Sequence, residues 1–108
     1  MAYRVELTDS AQADLDEIYR HIAQTDSRAS ADYVLDRLLE AAESLTAFPE
    51  RGSQPRELEQ AGSPRFRQLF FKPYRLIYRV VDDRVIIYLI ADGRRDMPAL
   101  LARRLLGQ

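Results

Sequence analysis

The sequence predicts an α+β domain of the order β-α-α-β-β-β-α, an antiparallel sheet packed against an N-terminal helical hairpin, with a short C-terminal helix. Three patterns carry that expectation. Residues 3–7 alternate strictly between apolar and charged, apolar stripes of helical period occupy residues 8–48, and three runs of β-forming residues lie between 66 and 91, separated by turn residues.

Tyr3-Arg4-Val5-Glu6-Leu7 has the period of a half-buried strand with Tyr3, Val5 and Leu7 facing inward. Thr8, Asp9 and Ser10 then offer N-cap oxygens, and Ala11, Leu15, Ile18, Tyr19 and Ile22 recur at helical spacing, so a first amphipathic helix ends near Gln24. Asp14, Asp16, Glu17 and Arg20 fall largely outside that stripe, and Asp14 with Glu17 reads as a solvated face. Asp26 and Ser27 can cap a second helix, with Val34, Leu38, Ala41, Leu45 and Phe48 as its stripe and Leu35, Leu39 and Ala42 broadening it. Pro49 and Gly52 end that helix at Phe48, and the short connection makes the pair a helical hairpin.

Residues 49–64 contain three prolines and two glycines without sustained periodicity, and read as a long loop with one turn of helix at Arg56 to Gln60. Three antiparallel strands follow, Phe66 to Phe71, Tyr74 to Val81 and Arg84 to Ala91, broken at Lys72-Pro73 and Asp82-Asp83. In the middle strand Tyr74, Leu76, Tyr78 and Val80 share one face, and Arg75, Ile77, Arg79 and Val81 the other. The last strand is apolar on both faces, which marks a central position. After Gly93, Asp96 can cap a short helix that carries Pro98 in its first turn and an apolar face of Leu100, Leu101, Leu105 and Leu106.

A chain of 108 residues supports one core, so residues 1–108 are expected to form a single domain. The absence of cysteine excludes disulfides, thiolate nucleophiles and Cys-based metal sites. One histidine, His21, leaves little for any other metal site, so neither a metal nor a cofactor is expected. Charges at Arg4, Glu6 and Asp9 interrupt any leader-like apolar core, and no apolar run approaches a membrane span; a cytoplasmic protein with no membrane contact is expected. The net charge of -1 conceals an asymmetry: residues 1–48 hold 4 Lys+Arg against 10 Asp+Glu, a balance of -6, while residues 49–108 hold 12 against 7, a balance of +5. A basic half suits a nucleic acid or an acidic protein partner, although the two halves can also simply attract each other. Arg75 and Arg79 on one strand face suit phosphate or carboxylate, since the guanidinium fork donates paired hydrogen bonds.

Four local motifs in this order resemble the RelE/ParE superfamily of type II toxin-antitoxin toxins. They are the opening helix TDSAQADLDEI at residues 8–18 and the helix end Leu45-Thr46-Ala47-Phe48-Pro49-Glu50-Arg51-Gly52. The strand pair Arg67-Gln68-Leu69 with Tyr74-Arg75-Leu76-Ile77-Tyr78 is the third, and the terminal Asp92-Gly93-Arg94-Arg95-Asp96 the fourth. The resemblance spans nearly the whole chain and implies that fold, together with a cognate antitoxin that holds the toxin inactive in a hetero-oligomer. DNA is then met only indirectly, through the antitoxin. The leucine-rich surplus of the second and last helices, Val34, Leu38, Leu45, Leu101 and Leu105, is what such an antitoxin would cover.

The superfamily implies two mechanisms on one fold. RelE-like members cleave messenger RNA on the ribosome; ParE-like members inhibit DNA gyrase by binding. Metal-free RNA cleavage needs cations and a proton carrier. Arg65, Arg67, Lys72, Arg75, Arg79, Arg94 and Arg95 supply target-binding cations on or beside the sheet, and a nuclease would draw on Arg67, Arg75, Arg79, Arg94 and Tyr88. The Tyr or His that many RelE-like enzymes carry near the C-terminus is missing from residues 97–108, and His21 sits among acidic residues on the first helix. Tyr78 and Tyr88 read as core packing, and a phenol near its ordinary pKa of ~10 is a poor base at neutral pH. The favoured expectation is therefore a non-catalytic, ParE-like toxin directed at gyrase, with the ribosome-dependent endoribonuclease as alternative and a degenerate, non-toxic antitoxin partner as a third reading.

Overall fold

The computed structural model describes residues 2–59 and 65–105. Strand β1 (Arg4–Leu7) leads into helix α1 (Asp9–Thr25) and helix α2 (Arg28–Glu43), followed by a 3-10 turn at Ser44–Thr46 and a single helical turn α3 (Arg56–Glu59). Strands β2 (Phe66–Phe71), β3 (Tyr74–Val81) and β4 (Arg84–Asp92) precede helix α4 (Met97–Leu105). The expected continuations to Gln60 and Leu106 lie outside the described residues. Among the described residues no helix is long and apolar enough to cross a membrane, and no cluster of His, Asp or Glu could hold a metal ion.

The helix starts follow from their caps. Of the three candidate oxygens before α1, that of Thr8 accepts from the Ala11 amide at 3.0 Å, and Ser27 accepts from Ser30 at 3.0 Å before α2. The regular α2 stops at Glu43, earlier than the expected Phe48, because Ser44 and Thr46 turn their hydroxyls back onto the carbonyls of Ala41 and Glu43 while the backbone tightens.

The sheet order is β1-β4-β3-β2, so the doubly apolar β4 is central as its composition requires. β2, β3 and β4 are antiparallel, but β1 joins β4 in parallel, with Arg4 opposite Arg84 and Leu7 opposite Ile87. The sheet is thus mixed, where the sequence suggested an antiparallel one. Alternation fixes which side of β1 is buried and carries no information about its partner or direction.

One face of the sheet meets the helical hairpin. Leu69, Leu76, Tyr78, Val85, Ile87 and Ile90 pack there on Ala11, Leu15, Leu38, Ala42 and Leu45. The opposite face carries a second cluster, in which α3 and α4 lay Leu58, Met97, Leu100 and Leu101 over Phe66, Ile77, Leu89 and Ala91. Leu38, Leu45 and Leu101 are each at most 1% exposed. Those three expected antitoxin contacts are therefore corrected to core residues, because the stripe that looked like surplus is what holds α2 and α4 to the two faces of the sheet. Val34 and Leu105 remain half-buried.

Candidate target-binding face

The face of the sheet away from the hairpin is divided by a bulge. β3 and β4 pair regularly from Val81/Arg84 to Tyr78/Ile87 and again from Ile77/Leu89, which leaves Tyr88 as an extra residue. The extra residue brings Tyr88 and Leu89 to the same side, where Tyr88 reaches across β3 to meet Phe66 of β2 edge-on, with centroids 5.5 Å apart and planes at 83°. On one side of this aromatic wall lies the half covered by α3 and α4. On the other lies an open half with Arg79, Val81, Arg84, Ile86, Arg4 and Glu6, none of them fully buried.

The predicted cations do not assemble into one site. Arg75 points into the covered half and is only 7% exposed: its guanidinium donates to both Glu57 oxygens, at 2.8 and 2.9 Å, and to the Gln68 side-chain oxygen at 2.9 Å. It is a structural residue here, corrected from an expected target contact, and its hydrogen bonds hold the Glu57 carboxyl below its ordinary pKa. Arg67 faces the hairpin side and bonds the carbonyls of Gly52 (2.8 Å) and Glu50 (3.2 Å), pinning the long loop. Lys72, Arg94 and Arg95 are exposed at the end of the sheet where the β2–β3 turn meets the end of β4. There the Arg94 guanidinium grips Asp92 at 2.6 Å and, with its amide, holds that carboxyl down to about 2. Arg65 and Arg79 sit toward the opposite end, roughly 17 Å along the strand from Tyr74 to Arg79.

The phenols offer little proton chemistry. Tyr78 is fully buried, accepts the Gly52 amide at 3.0 Å, and burial pushes its pKa up. Only glycine fits at position 52, since a Cβ there would stand 2.5 Å from the Gln68 carbonyl oxygen and 2.6 Å from the Tyr78 hydroxyl. Burial, followed by the nearby Asp92, raises Tyr74. His21 is exposed on α1.

Arg79 is the distinctive group of the open half. Its guanidinium carbon lies 5.7 Å from the centre of the Phe66 ring, and its Nε is buried without a hydrogen-bond partner. The other far-face strand arginines each have a carboxylate: Arg4 with Asp83 (3.7 Å), Arg84 with Glu6 (3.3 Å) and Arg75 with Glu57. Among the described residues Arg79 has none.

Asp14 was expected to be solvated and is not. It accepts from both Arg104 nitrogens of α4, at 3.0 and 2.9 Å, and from the Ile90 amide at 3.1 Å, while Arg104 also donates to the Tyr88 carbonyl at 3.0 Å. These side chains satisfy the edge of β4 beyond the end of β1. One signal was available, since position 14 lies three after Ala11 and four before Ile18, inside the apolar stripe. Nothing local pointed to Glu57, Gln68 or Arg104 as partners.

Residues 5–97 match the family described as ParE toxin of type II toxin-antitoxin system, parDE. The chain is 30% identical over 101 residues to "Toxin ParE3" of Caulobacter vibrioides, covering 94% of this chain and 97% of the relative. Among solved structures it resembles a chain of the chromosomal ParDE system from P. aeruginosa with a TM-score of 0.70 and 22% identity, over 84% of this chain and 96% of that one. It also resembles a chain of the RelBE2 toxin-antitoxin complex of Mycobacterium tuberculosis, with a TM-score of 0.62 and 23% identity over 85% and 92% of the two chains. A double-mutant E. coli RelE in the free state gives 0.61 at 19% identity over 97% and 99%.

Proposed function

The chain belongs to the ParE toxin family of type II toxin-antitoxin systems, and from that premise we propose that residues 1–108 form one toxin domain that arrests growth by binding DNA gyrase in the cytoplasm. A cognate antitoxin neutralises it, and DNA is met only through that antitoxin. The half-buried Val34 and Leu105 remain the antitoxin contacts of choice.

The observation that carries a binding rather than a catalytic reading is the make-up of the open half. An arginine there stands against aromatic and aliphatic side chains, and among the described residues no histidine or uncommitted carboxylate faces it. Tyr88, the phenol of this region, sets its ring against Phe66. Electrostatic stabilisation of a phosphate without a proton carrier is half of a nuclease. A cation ringed by apolar groups is, by contrast, the usual composition of a protein-binding centre.

The test is a side-by-side assay of purified toxin on gyrase supercoiling and on ribosome-bound messenger RNA. Inhibited supercoiling with intact RNA supports the proposal. Cleaved RNA with unaffected supercoiling replaces it by the RelE-like mechanism, and growth unaffected by the folded chain replaces it by the non-toxic partner.

A further inference from the structure

Resting on the protein-binding reading above, we infer that Arg79 is the anchor for a single carboxylate side chain of the target protein, presented by an otherwise apolar segment that lies on the open half of the sheet.

Four arginines project from the strands onto this face, and they differ in what they already hold. Arg4, Arg75 and Arg84 have carboxylates within the chain, whereas Arg79 has none among the described residues, and its Nε is already out of water. Part of the desolvation that an arginine undergoes on binding has therefore been incurred in the free protein. The Phe66 ring beneath its guanidinium restrains the side chain, so less freedom is lost when a partner arrives. Val81 and Ile86 are half-buried on the same face, Ile86 directly across from Arg79 and Val81 two residues along β3. An apolar rim of this kind excludes water from a central charged contact and strengthens it.

The surroundings favour a carboxylate over a nucleic-acid backbone. Polyanion binding uses several uncommitted cations in a row. Here the neighbouring Arg84 and Arg4 already have Glu6 and Asp83 beside them, so the face offers no row of uncommitted cations. What is left is one uncommitted positive charge with Phe66, Val81 and Ile86 as its immediate neighbours and the Arg84–Glu6 pair beyond them, complementary to one negative charge flanked by apolar side chains.

The experiment uses the purified chain and DNA gyrase, with urea denaturation of each variant as the measure of folding. Arg79→Met keeps the apolar cover and removes the charge, and is expected to raise the half-inhibitory concentration about 30-fold or more. Arg79→Lys is expected to recover only part, since an ammonium cannot reproduce the paired donors. Ile86→Glu retains Arg79 but offers it a carboxylate from across the strand, and is expected to abolish inhibition while Ile86→Gln retains most of it. These two variants decide the matter even if Arg79→Met fails to fold. Inhibition by folded Arg79→Met or Ile86→Glu at the wild-type concentration overturns the inference and leaves the gyrase reading standing. A wild-type chain that does not touch supercoiling overturns the gyrase reading. In that case the inference is judged by induced growth arrest, which Ile86→Glu must relieve and Ile86→Gln must not. Tight binding of a labelled uridylate oligonucleotide that Arg79→Met removes assigns the site to phosphate and overturns the inference.

Discussion

The covered and open halves of the far sheet face are made from the same strands and contain one arginine each on β3, four residues apart, yet they treat that arginine in opposite ways. Each rests on an aromatic ring of β2, Phe70 or Phe66, but Arg75 in the covered half has its donors matched by Glu57 and Gln68, while Arg79 in the open half leaves its Nε unmatched. Burial under α3 and α4 required a full set of partners for Arg75, because a buried charge without them is costly. The open half was under no such demand. Saturation of hydrogen bonds therefore separates a structural cation from one left for a partner, and strand position alone does not.

The largest test of this contrast is in packing. Leu89→Ala, fully buried beneath α4, should cost about 4 kcal/mol in urea denaturation, whereas Ile86→Ala on the same strand should cost less than about 1 kcal/mol. Next come the two arginines. Arg75→Met should destabilise by roughly 3 kcal/mol by stranding Glu57 and Gln68. Arg79→Met should leave the denaturation midpoint near wild type, and a large stability loss there would erase the distinction between the halves. Asp14→Ala should cost roughly 1–2 kcal/mol and speed hydrogen exchange at the Ile90 amide and along α4, since it removes the acceptor shared by Arg104 and that amide.

The smallest effect is electrostatic. Asp92 and Glu57 both have lowered folded pKa values, the first to about 2 against an ordinary 3.8. Each therefore contributes stability that is complete above its ordinary pKa and is lost as pH falls through the folded value. Asp92→Asn should lower the midpoint slightly at pH 7 and flatten the stability profile between about pH 4 and pH 2 by the same small amount, because its Arg94 partner is largely exposed. A strong pH 7 effect would mean that the turn after β4 is more than a surface pair.

The elements were legible because their signals are local. The Tyr3–Leu7 alternation, the Thr8 and Ser27 caps and the doubly apolar β4 each needed only their own neighbours, and each led to the element found. The site was less legible because its logic is non-local. Glu57 lies in the single helical turn of the long loop and meets Arg75 across 18 residues, and Asp14 finds Arg104 across 90. Alternation placed Arg75 and Arg79 on one face correctly, but it could not show that a bulge at Tyr88 would divide that face. The burial of Leu38, Leu45 and Leu101 is illegible for the same reason, since apolar stripes do not state whether their own chain or another will cover them.

The parallel pairing of β1 with β4 has a consequence in time. β1 is held by β4, nearly eighty residues later, with Arg4 opposite Arg84, and α1 is tied to α4 through Asp14 and Arg104. Contacts of such long separation form late and slow the folding of the whole. While the chain is still on the ribosome, α1 and α2 can fold, but the strand that would cover their inner stripe has not yet emerged. The face that carries Arg79 is complete only when β4 has taken its place between β1 and β3, so residues far apart in the sequence must meet before anything can be bound there.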